Sequence, residues 1–323
     1  MRLSRSLVTL FCLLVFLSSS LLHGQTNACL ERTFVANVFD RGTVPAGLTK
    51  DNFLINYHGR NLTPRNIAYS EGPRRVIVLL DASGSMNLPG NAAKWKLARL
   101  AAADVVTALP PGSKVGLITF AGSNKTQAWL SADRTPILDW LQNDKAGYRD
   151  QLKGKTALYD TIQTALAQLQ PTEPGDAIFV ITDGGENAST ARRSQIKSAL
   201  REAGVRLFTL ILPPGTAIDP AELAGSKELS SLSNESGGFV ETLGDEPVVR
   251  IIGERLSQQL RVQMARLSLQ ISAFYTVSLE LPENPPKPSH WEVTLVDSGK
   301  RRKSAWVGYP HEVASCEERT AQK

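Results

Sequence analysis

At 323 residues the chain is long enough to bury a substantial core, and 42% hydrophobic with 21% charged residues is typical of an ordinary globular domain with a smaller one beside it. This composition excludes an intrinsically disordered chain. The formal charge of +5 falls to +3 when Arg2 and Arg5 of the N-terminal segment are removed, which is too small to indicate nucleic-acid binding. The one dense basic run, residues 300–303, follows an Asp-Ser-Gly turn signal and is interpreted as a solvated hairpin end.

The first 24 residues have the form of a secretory signal peptide. Two arginines precede an apolar stretch at residues 7–17, and serines follow it at 18–20. The apolar stretch is shorter than the ~20 residues that span a bilayer, although Leu21 and Leu22 extend it and leave an uncleaved anchor open. We therefore expect an exported protein.

Export determines how the cysteines are interpreted. Cys12 belongs to the signal, which leaves Cys29 and Cys316 near opposite ends of the exported chain. Two cysteines in an oxidising compartment favour a disulfide, with Cα atoms about 4.4 to 6.8 Å apart. Cys29 also leaves a lipoprotein open, although residues 26–28 lack the expected Leu three positions before it. Membrane contact is expected only through an uncleaved signal or a lipidated Cys29.

Three regions follow along the chain. Residues from about 30 to 72 alternate apolar and polar side chains around turn signals, which predicts short antiparallel strands. From residue 74 to about 263, strand-like and helix-like stretches alternate, as in a parallel sheet covered by helices. Beyond that, stretches such as "FYTVSLEL" and "HWEVTLV" predict strands again. Because neither flank holds enough strands to be stable alone, we expect the two flanks to pack together as one β unit.

Two predicted strands of the middle region end in oxygen-bearing side chains. A continuous aliphatic run at residues 76–80 leads into Asp81, Ser83 and Ser85, and a similar run, "IFVIT", leads into Asp183. Ligands bind at the carboxyl ends of parallel strands in open α/β sheets, so these side chains are candidates for a site. By itself, an Asp-x-Ser-x-Ser segment is equally compatible with capping of the next helix.

Taken together, these residues resemble the von Willebrand factor A domain and its metal-ion-dependent adhesion site. The family's Asp-x-Ser-x-Ser corresponds to Asp81, Ser83 and Ser85, its loop threonine to Thr156, and its second aspartate to Asp183. The flanks look like those of secreted bacterial proteins called VWFA-related. The resemblance implies a doubly wound α/β fold with a mostly parallel, Rossmann-like central sheet. It also implies a bacterial protein that is secreted or held in the periplasm or cell envelope.

The resemblance further implies the chemistry of the site. Mg²⁺, or else Mn²⁺ or Ca²⁺, would be coordinated by the hydroxyls of Ser83, Ser85 and Thr156, while Asp81 and Asp183 hold waters or bind directly. Mg²⁺ takes oxygen ligands and readily keeps waters, so such a ligand set suits it. Because few charges touch the ion, it can accept the carboxylate of an Asp or Glu from a protein partner. We therefore expect an exported, non-enzymatic binding module.

The expected organisation has four parts: a signal peptide at 1–24, a β segment at 25–72, the von Willebrand factor A domain at 73–263, and a second β segment at 264–323 that packs with the first. The last helix of the central domain is predicted at residues 247–262. It carries an apolar stripe with which it would rest on the sheet, formed by Val249, Ile252, Leu256 and Leu260. In adhesive relatives ligand binding shifts the last helix, so we expect partner binding to be read out there.

Two other functions remain open, a structural envelope domain with an inert metal site and a metal-assisted hydrolase. A serine hydrolase would need a histidine beside its nucleophile, and His58, His290 and His311 all lie in the flanking strand regions. "KGKT" at residues 153–156 is similar to a phosphate-binding loop, but Arg149 stands where that motif requires glycine. The residues therefore favour binding over catalysis.

Overall fold

The computed structural model describes residues 29–87, 92–143, 154–212, 220–243 and 254–316. The predicted signal peptide at 1–24 lies outside these residues, and so do Val249 and Ile252 of the predicted stripe. None of the helices within the described ranges combines the length and the apolar character that a membrane span requires.

The described chain forms fifteen strands and six α-helices of four residues or more. The strands are β1 (Glu31–Asp40), β2 (Phe53–Tyr57), β3 (Arg60–Leu62), β4 (Asn66–Glu71), β5 (Arg75–Asp81), β6 (Lys114–Phe120), β7 (Asn124–Ser131), β8 (Ala177–Thr182), β9 (Arg206–Ile211), β10 (Val240–Thr242), β11 (Ala273–Glu280), β12 (Ser289–Asp297), β13 (Lys300–Arg301), β14 (Ala305–Gly308) and β15 (Glu312–Val313). The helices are α1 (Ala92–Ala108), α2 (Thr135–Gln142), α3 (Leu158–Gln168), α4 (Arg193–Ala203), α5 (Pro220–Glu235) and α6 (Glu254–Ser272).

A six-stranded sheet lies at the centre of the molecule, in the order β10-β9-β8-β5-β6-β7. Its neighbouring strands are parallel except for β7, which runs antiparallel to β6 at the edge. The continuous aliphatic run of β5 suits this position, because a central strand is buried on both faces. Its side chains alternate between two cores, with Val78 packed beside α1, α2 and α6 and Leu79 beside α3, α4 and α5. The predicted doubly wound α/β fold is confirmed.

The two flanks form a β unit with two sheets. One sheet has the order β14-β1-β11-β4, and the other has the order β13-β12-β2-β3 with β15 paired to β12. Each sheet therefore contains strands from both ends of the chain. One core lies between the sheets and holds Phe34, Ile55, Tyr275 and Trp291, all buried. This arrangement confirms the β unit predicted from the flanks.

A disulfide bond joins Cys29 and Cys316 at the two ends of this unit. Their Cα atoms are 5.4 Å apart, within the range expected from the sequence, although 287 residues separate them along the chain. The guanidinium of Arg32 in β1 reinforces the closure, because it donates to the backbone oxygen of Ala314 at 3.2 Å. The chain ends are thus held together covalently and by hydrogen bonding.

The last helix of the central domain ends later than the sequence predicted. It was predicted to end at residue 262, but α6 continues to Ser272, so the expected boundary at 263 falls inside a helix. The apolar spacing explains the difference, because the buried Leu260 is followed by Met264, Leu267 and Ile271, which are also buried and continue the helical stripe. Strand β11 then begins directly at Ala273.

Candidate metal centre

The first loop of the site leaves the sheet at the end of β5. Asp81 is the last residue of that strand and is completely buried. Its Oδ1 accepts a hydrogen bond from the backbone N–H of Ser83 at 2.8 Å, which turns the chain sharply after the strand. The hydroxyls of Ser83 and Ser85 then lie 3.0 Å apart, at the start of a short 3-10 turn, Gly84–Asn87. The three predicted side chains are therefore presented together at the carboxyl edge of the sheet.

The second loop leaves the neighbouring strand β8. Asp183 follows this strand directly and is 3% exposed. The preceding residue, Thr182, joins the two loops: its hydroxyl donates to Oδ2 of Asp81 at 2.5 Å and accepts from the N–H of Gly184 at 3.0 Å. Sequence analysis did not identify Thr182, although a hydroxyl at the end of a buried strand, directly before a candidate ligand, was a usable signal.

Thr156 lies in the third loop, directly before α3. Its backbone oxygen accepts hydrogen bonds from Asn187 at 3.0 Å and Ala188 at 3.1 Å, and its N–H donates to Oδ1 of Asn187 at 2.8 Å. These bonds tie it to the loop that follows Asp183. A Cβ on Gly185 would lie 3.3 Å from the Thr156 hydroxyl, so glycine keeps the space beside that hydroxyl open. Thr156 is therefore held beside the aspartate loop, as the resemblance implies.

Glu186 joins the loop after Asp183 to the start of α3. Its carboxylate accepts from the N–H of Tyr159 at 3.0 Å, in the first turn of α3, and from the N–H and hydroxyl of Ser189 at 2.9 and 2.8 Å. A carboxylate at a helix N-terminus is stabilised by the free N–H groups and the helix dipole. The loop after Asp183 is thereby clamped to the helix that follows Thr156. The Glu186 role was also missed from the sequence.

A lysine reaches into the site from α1. Nζ of Lys94 donates to Oδ2 of Asp183 at 2.8 Å, and both side chains are fully buried. The sequence motifs do not point to Lys94, but its position is a usable signal, since Lys94 lies four residues before Ala98 and seven before Ala101, both buried in α1. A charged residue on an otherwise apolar helix stripe indicates a buried partner.

Burial dominates the electrostatics of Asp81. Removal from water, followed by the charge of Asp183, raises the pKa of Asp81 to about 7, against the lowering effect of its hydrogen bonds from Thr182 and Ser83. The Lys94 ammonium is the positive charge that offsets Asp183. Two carboxylates and one ammonium leave the ionised site with a net negative charge that suits a cation.

The donor set fits a divalent metal ion. Oδ1 of Asp183 is buried and has no hydrogen-bond partner among the described residues, a costly condition that a cation would relieve. Within those residues, no group of three or more His, Cys, Asp or Glu side chains is arranged to hold a metal. A metal ion at this position would therefore also need hydroxyl ligands such as those of Ser83, Ser85 and Thr156. Carboxylate and hydroxyl oxygens are the ligands that Mg²⁺ and Ca²⁺ prefer.

Comparison with known proteins agrees with this architecture. Residues 76–186 match the family model described as von Willebrand factor type A domain, which supports a domain of this type in the central sheet. The matched range contains all five candidate metal ligands. A search of curated proteins found no match.

Several solved structures are similar to the chain. BatB, a conserved hypothetical protein from Bacteroides thetaiotaomicron, is 21% identical with a TM-score of 0.44, and the match covers 62% of this chain and 98% of that one. An aerotolerance-related membrane protein from Bacteroides fragilis is 20% identical with a TM-score of 0.44, covering 61% and 98%. A von Willebrand factor type A protein from Catenulispora acidiphila is 14% identical with a TM-score of 0.45, covering 88% and 72%.

Proposed function

We propose that this chain is an exported, non-enzymatic module that binds a protein partner through a divalent metal ion. The hydroxyls of Ser83, Ser85 and Thr156 would hold the ion, with Asp81 and Asp183 bound directly or through water. The ion, Mg²⁺ or else Mn²⁺ or Ca²⁺, would supply a coordination position for an Asp or Glu carboxylate of the partner. The observation that carries this proposal is the buried Oδ1 of Asp183, which has no hydrogen-bond partner among the described residues and lies near the Asp81 carboxylate.

The chain's own groups prepare the site for such a carboxylate. Thr182 and the N–H of Ser83 hold both oxygens of Asp81, so this side chain is oriented without any contribution from a ligand. The Lys94 ammonium offsets one of the two carboxylate charges. A doubly charged cation in the site would then leave a net positive charge, which attracts the carboxylate of a partner.

The placement of the histidines supports a non-enzymatic role. The described histidines all belong to the β unit: His58 in the turn between β2 and β3, His290 in β12, and His311 directly before β15. A hydrolytic site at the carboxyl edge of the central sheet would need a general base within hydrogen-bond reach of its nucleophile. The hydroxyls of Ser83 and Ser85 at that edge lie 3.0 Å from each other.

Export is supported by the signal-like segment and by the Cys29–Cys316 disulfide, which persists in oxidising compartments. We therefore place the protein in the periplasm, in the cell envelope or outside the cell. The partner would be a protein of the same compartment that presents an acidic side chain.

One observation favours a second candidate function, a structural envelope domain with an inert site. The Lys94 ammonium already neutralises Asp183, as it would in a site that never takes up metal. Such a domain would bind its neighbours without any response to metal ions.

The test combines metal titration with partner capture. Purified protein is titrated with Mn²⁺ by calorimetry and is used to capture partners from envelope extract in Mg²⁺ or in EDTA. The parent is expected to bind Mn²⁺ and to retain its partner only in Mg²⁺. The Asp183→Ala variant is expected to lose both properties while its circular dichroism spectrum is unchanged. Asp51→Ala, which removes an exposed carboxylate of the β unit, serves as the matched control and should behave as the parent. Capture that is equal in Mg²⁺ and EDTA would establish the structural function instead.

A further inference from the structure

We infer that Lys94 acts as a tethered cation, which balances Asp183 when the site holds no metal and lowers the affinity of the site for divalent ions. This inference rests on the proposed metal site and assigns a residue that sets its affinity. With Lys94 in place, the stability of the folded domain would not depend on whether metal is bound.

The contact between Lys94 and Asp183 is sealed from solvent. Nζ and Oδ2 are 2.8 Å apart, and both side chains have no exposed surface. Trp95, 1% exposed, follows on the same helix turn. A buried ion pair repays the loss of hydration only when both charges are present, and removal of one partner leaves an uncompensated buried charge. The ammonium is therefore part of the folded state of the metal-free domain.

The need for a positive charge comes from Asp81. Its carboxylate is fully buried within interaction distance of the charge on Asp183, and two like charges in a buried site destabilise each other. Both oxygens of Asp81 already accept hydrogen bonds, from Ser83 and Thr182. Among the described residues, Lys94 contacts Asp183 and does not contact Asp81. It supplies from the protein the charge that a metal ion would otherwise have to supply.

The same ammonium would oppose an incoming metal ion. It donates to Oδ2 of Asp183 and leaves Oδ1, which has no partner within the described part of the chain, for a cation or its water. A positive charge in direct contact with a ligand repels a divalent ion in a site shielded from solvent. We therefore expect weak, reversible binding of metal, in which occupancy follows the metal concentration outside the cell.

The experiment replaces Lys94 with methionine, which keeps an unbranched stem of similar volume and removes the charge. Thermal unfolding is measured in EDTA and in Mg²⁺, and Mn²⁺ binding is measured by calorimetry. The parent is expected to unfold at nearly the same temperature in both conditions. Lys94→Met is expected to unfold at a lower temperature in EDTA, to recover in Mg²⁺, and to bind Mn²⁺ at least tenfold more tightly.

A double variant, Lys94→Met with Asp183→Asn, separates charge from packing. It removes both members of the ion pair, so it is expected to be more stable in EDTA than Lys94→Met alone and to show no recovery in Mg²⁺. If Lys94→Met binds Mn²⁺ no more tightly than the parent, the inference about Lys94 is wrong and the metal site stands. If neither the parent nor Lys94→Met binds Mn²⁺, the metal site itself is wrong, and the inference with it.

Discussion

The guanidinium of Arg206, at the start of β9, donates to Oδ1 of Asn37 in β1 at 2.7 Å, and neither side chain is more than 2% exposed. The same guanidinium donates to the backbone oxygens of Gly175 at 2.7 Å and Ile271 at 2.8 Å. It lies over the ring of Phe274, 4.9 Å from the centroid. One buried arginine therefore joins the central sheet, the end of α6 and the β unit.

We expect Arg206→Ala to lower the free energy of unfolding by about 3–5 kcal/mol, because it leaves several buried acceptors without a donor and opens a cavity. Chemical denaturation followed by circular dichroism measures this loss. Arg60→Ala removes an exposed arginine of β3 and should change the free energy by less than about 0.5 kcal/mol. If the two substitutions lowered the free energy of unfolding equally, the buried contacts of Arg206 would contribute no more to stability than an exposed arginine does.

Glu312 in β15 provides a pH-dependent connection between the two units. Its carboxylate accepts from Nζ of Lys197 at 2.7 Å and from the guanidinium of Arg201 at 2.8 Å, both in α4. Burial opposes ionisation of Glu312, but the Lys197 hydrogen bond and the neighbouring charges outweigh it and hold the pKa of Glu312 below its ordinary value.

The stability that Glu312 contributes is present above the pKa of a glutamate in the unfolded chain and is lost as the pH falls through its lower folded pKa. At pH 7 we expect Glu312→Gln to cost about 1.5 kcal/mol, since a charge-assisted hydrogen bond is lost. The difference between the two proteins in urea unfolding should shrink as the pH falls below the ordinary pKa of a glutamate and through the lower folded pKa of Glu312. Glu283→Gln, an exposed glutamate of the same unit, is the control. A difference that stays constant as the pH is lowered from 7 through the acidic range would contradict the role of the charge.

The Cys29–Cys316 disulfide should stabilise the β unit. We expect reduction, or Cys29→Ser with Cys316→Ser, to lower the free energy of unfolding by about 2–5 kcal/mol, because the bond constrains the unfolded chain over a long loop. Denaturation with and without a reductant measures the change. Thiol-specific labelling of protein purified from its native compartment, before and after reduction, is the second measurement. Labelling of both cysteines before reduction would show that the bond does not form there.

The sequence was sufficient for the central sheet, since hydrophobic runs mark buried strands. Asp81 ends one of those strands and Asp183 directly follows another, whereas Thr156 became a candidate only through the family resemblance. The sequence was insufficient for β7, whose sequence NKTQAWLS is too polar to stand out as a strand. That strand lies at the edge, where one side is solvated and Trp129 is 71% exposed, so its strand structure depends on pairing with β6.

Sequence patterns do not identify the polar contacts around the candidate ligands, because these contacts also depend on pairing between distant parts of the chain. Lys94, Thr182 and Glu186 act through partners that lie 89, 101 and 27 residues away along the chain, namely Asp183, Asp81 and Tyr159. Such pairs depend on tertiary placement, which local periodicity does not encode. The predicted shift of the last helix on partner binding stays a prediction.

Thr182→Val tests whether the link between the two aspartate loops matters for metal binding. The substitution keeps the shape of the side chain and removes the hydroxyl that donates to Asp81 and accepts from Gly184. We expect a loss of about 1–3 kcal/mol in the free energy of unfolding, because buried groups lose their partners, and weaker Mn²⁺ binding in calorimetry.

Thr209→Val is the matched control for this prediction. Thr209 is fully buried in the neighbouring strand β9, and its hydroxyl lies 2.8 Å from that of Ser233, away from the candidate ligands. We expect it to lose a similar amount of stability and to bind Mn²⁺ as the parent does. If both variants lose Mn²⁺ affinity to the same degree, the loss in Thr182→Val comes from the lower stability of the domain and not from the link between the two aspartate loops.

Helix α5 touches both the candidate metal loop and the β unit. Near its start, the hydroxyl of Ser226 donates to the backbone oxygen of Asp183 at 3.4 Å. At its end, the backbone oxygen of Glu235 accepts from the N–H of His311 at 3.0 Å. Between Ser226 and Glu235, Glu228 accepts from the hydroxyl of Tyr159 at 2.8 Å, beside the loop that holds Thr156. A displacement of the loop after Asp183 would thus reach the β unit through this helix.

Gly225→Ala tests the contact at the start of α5. A Cβ at Gly225 would overlap the backbone oxygen of Gly184, so the loop after Asp183 or the helix must move. We expect a loss of about 1–3 kcal/mol in the free energy of unfolding, as for other overpacked sites, together with at least tenfold weaker Mn²⁺ binding, because Asp183 is displaced. Gly47→Ala, where a Cβ meets no atom within 4 Å, is the control for both measurements. If Gly225→Ala lost stability but bound Mn²⁺ with the parent's affinity, the helix would move instead of the loop, and the path from α5 to the metal ligands would not exist.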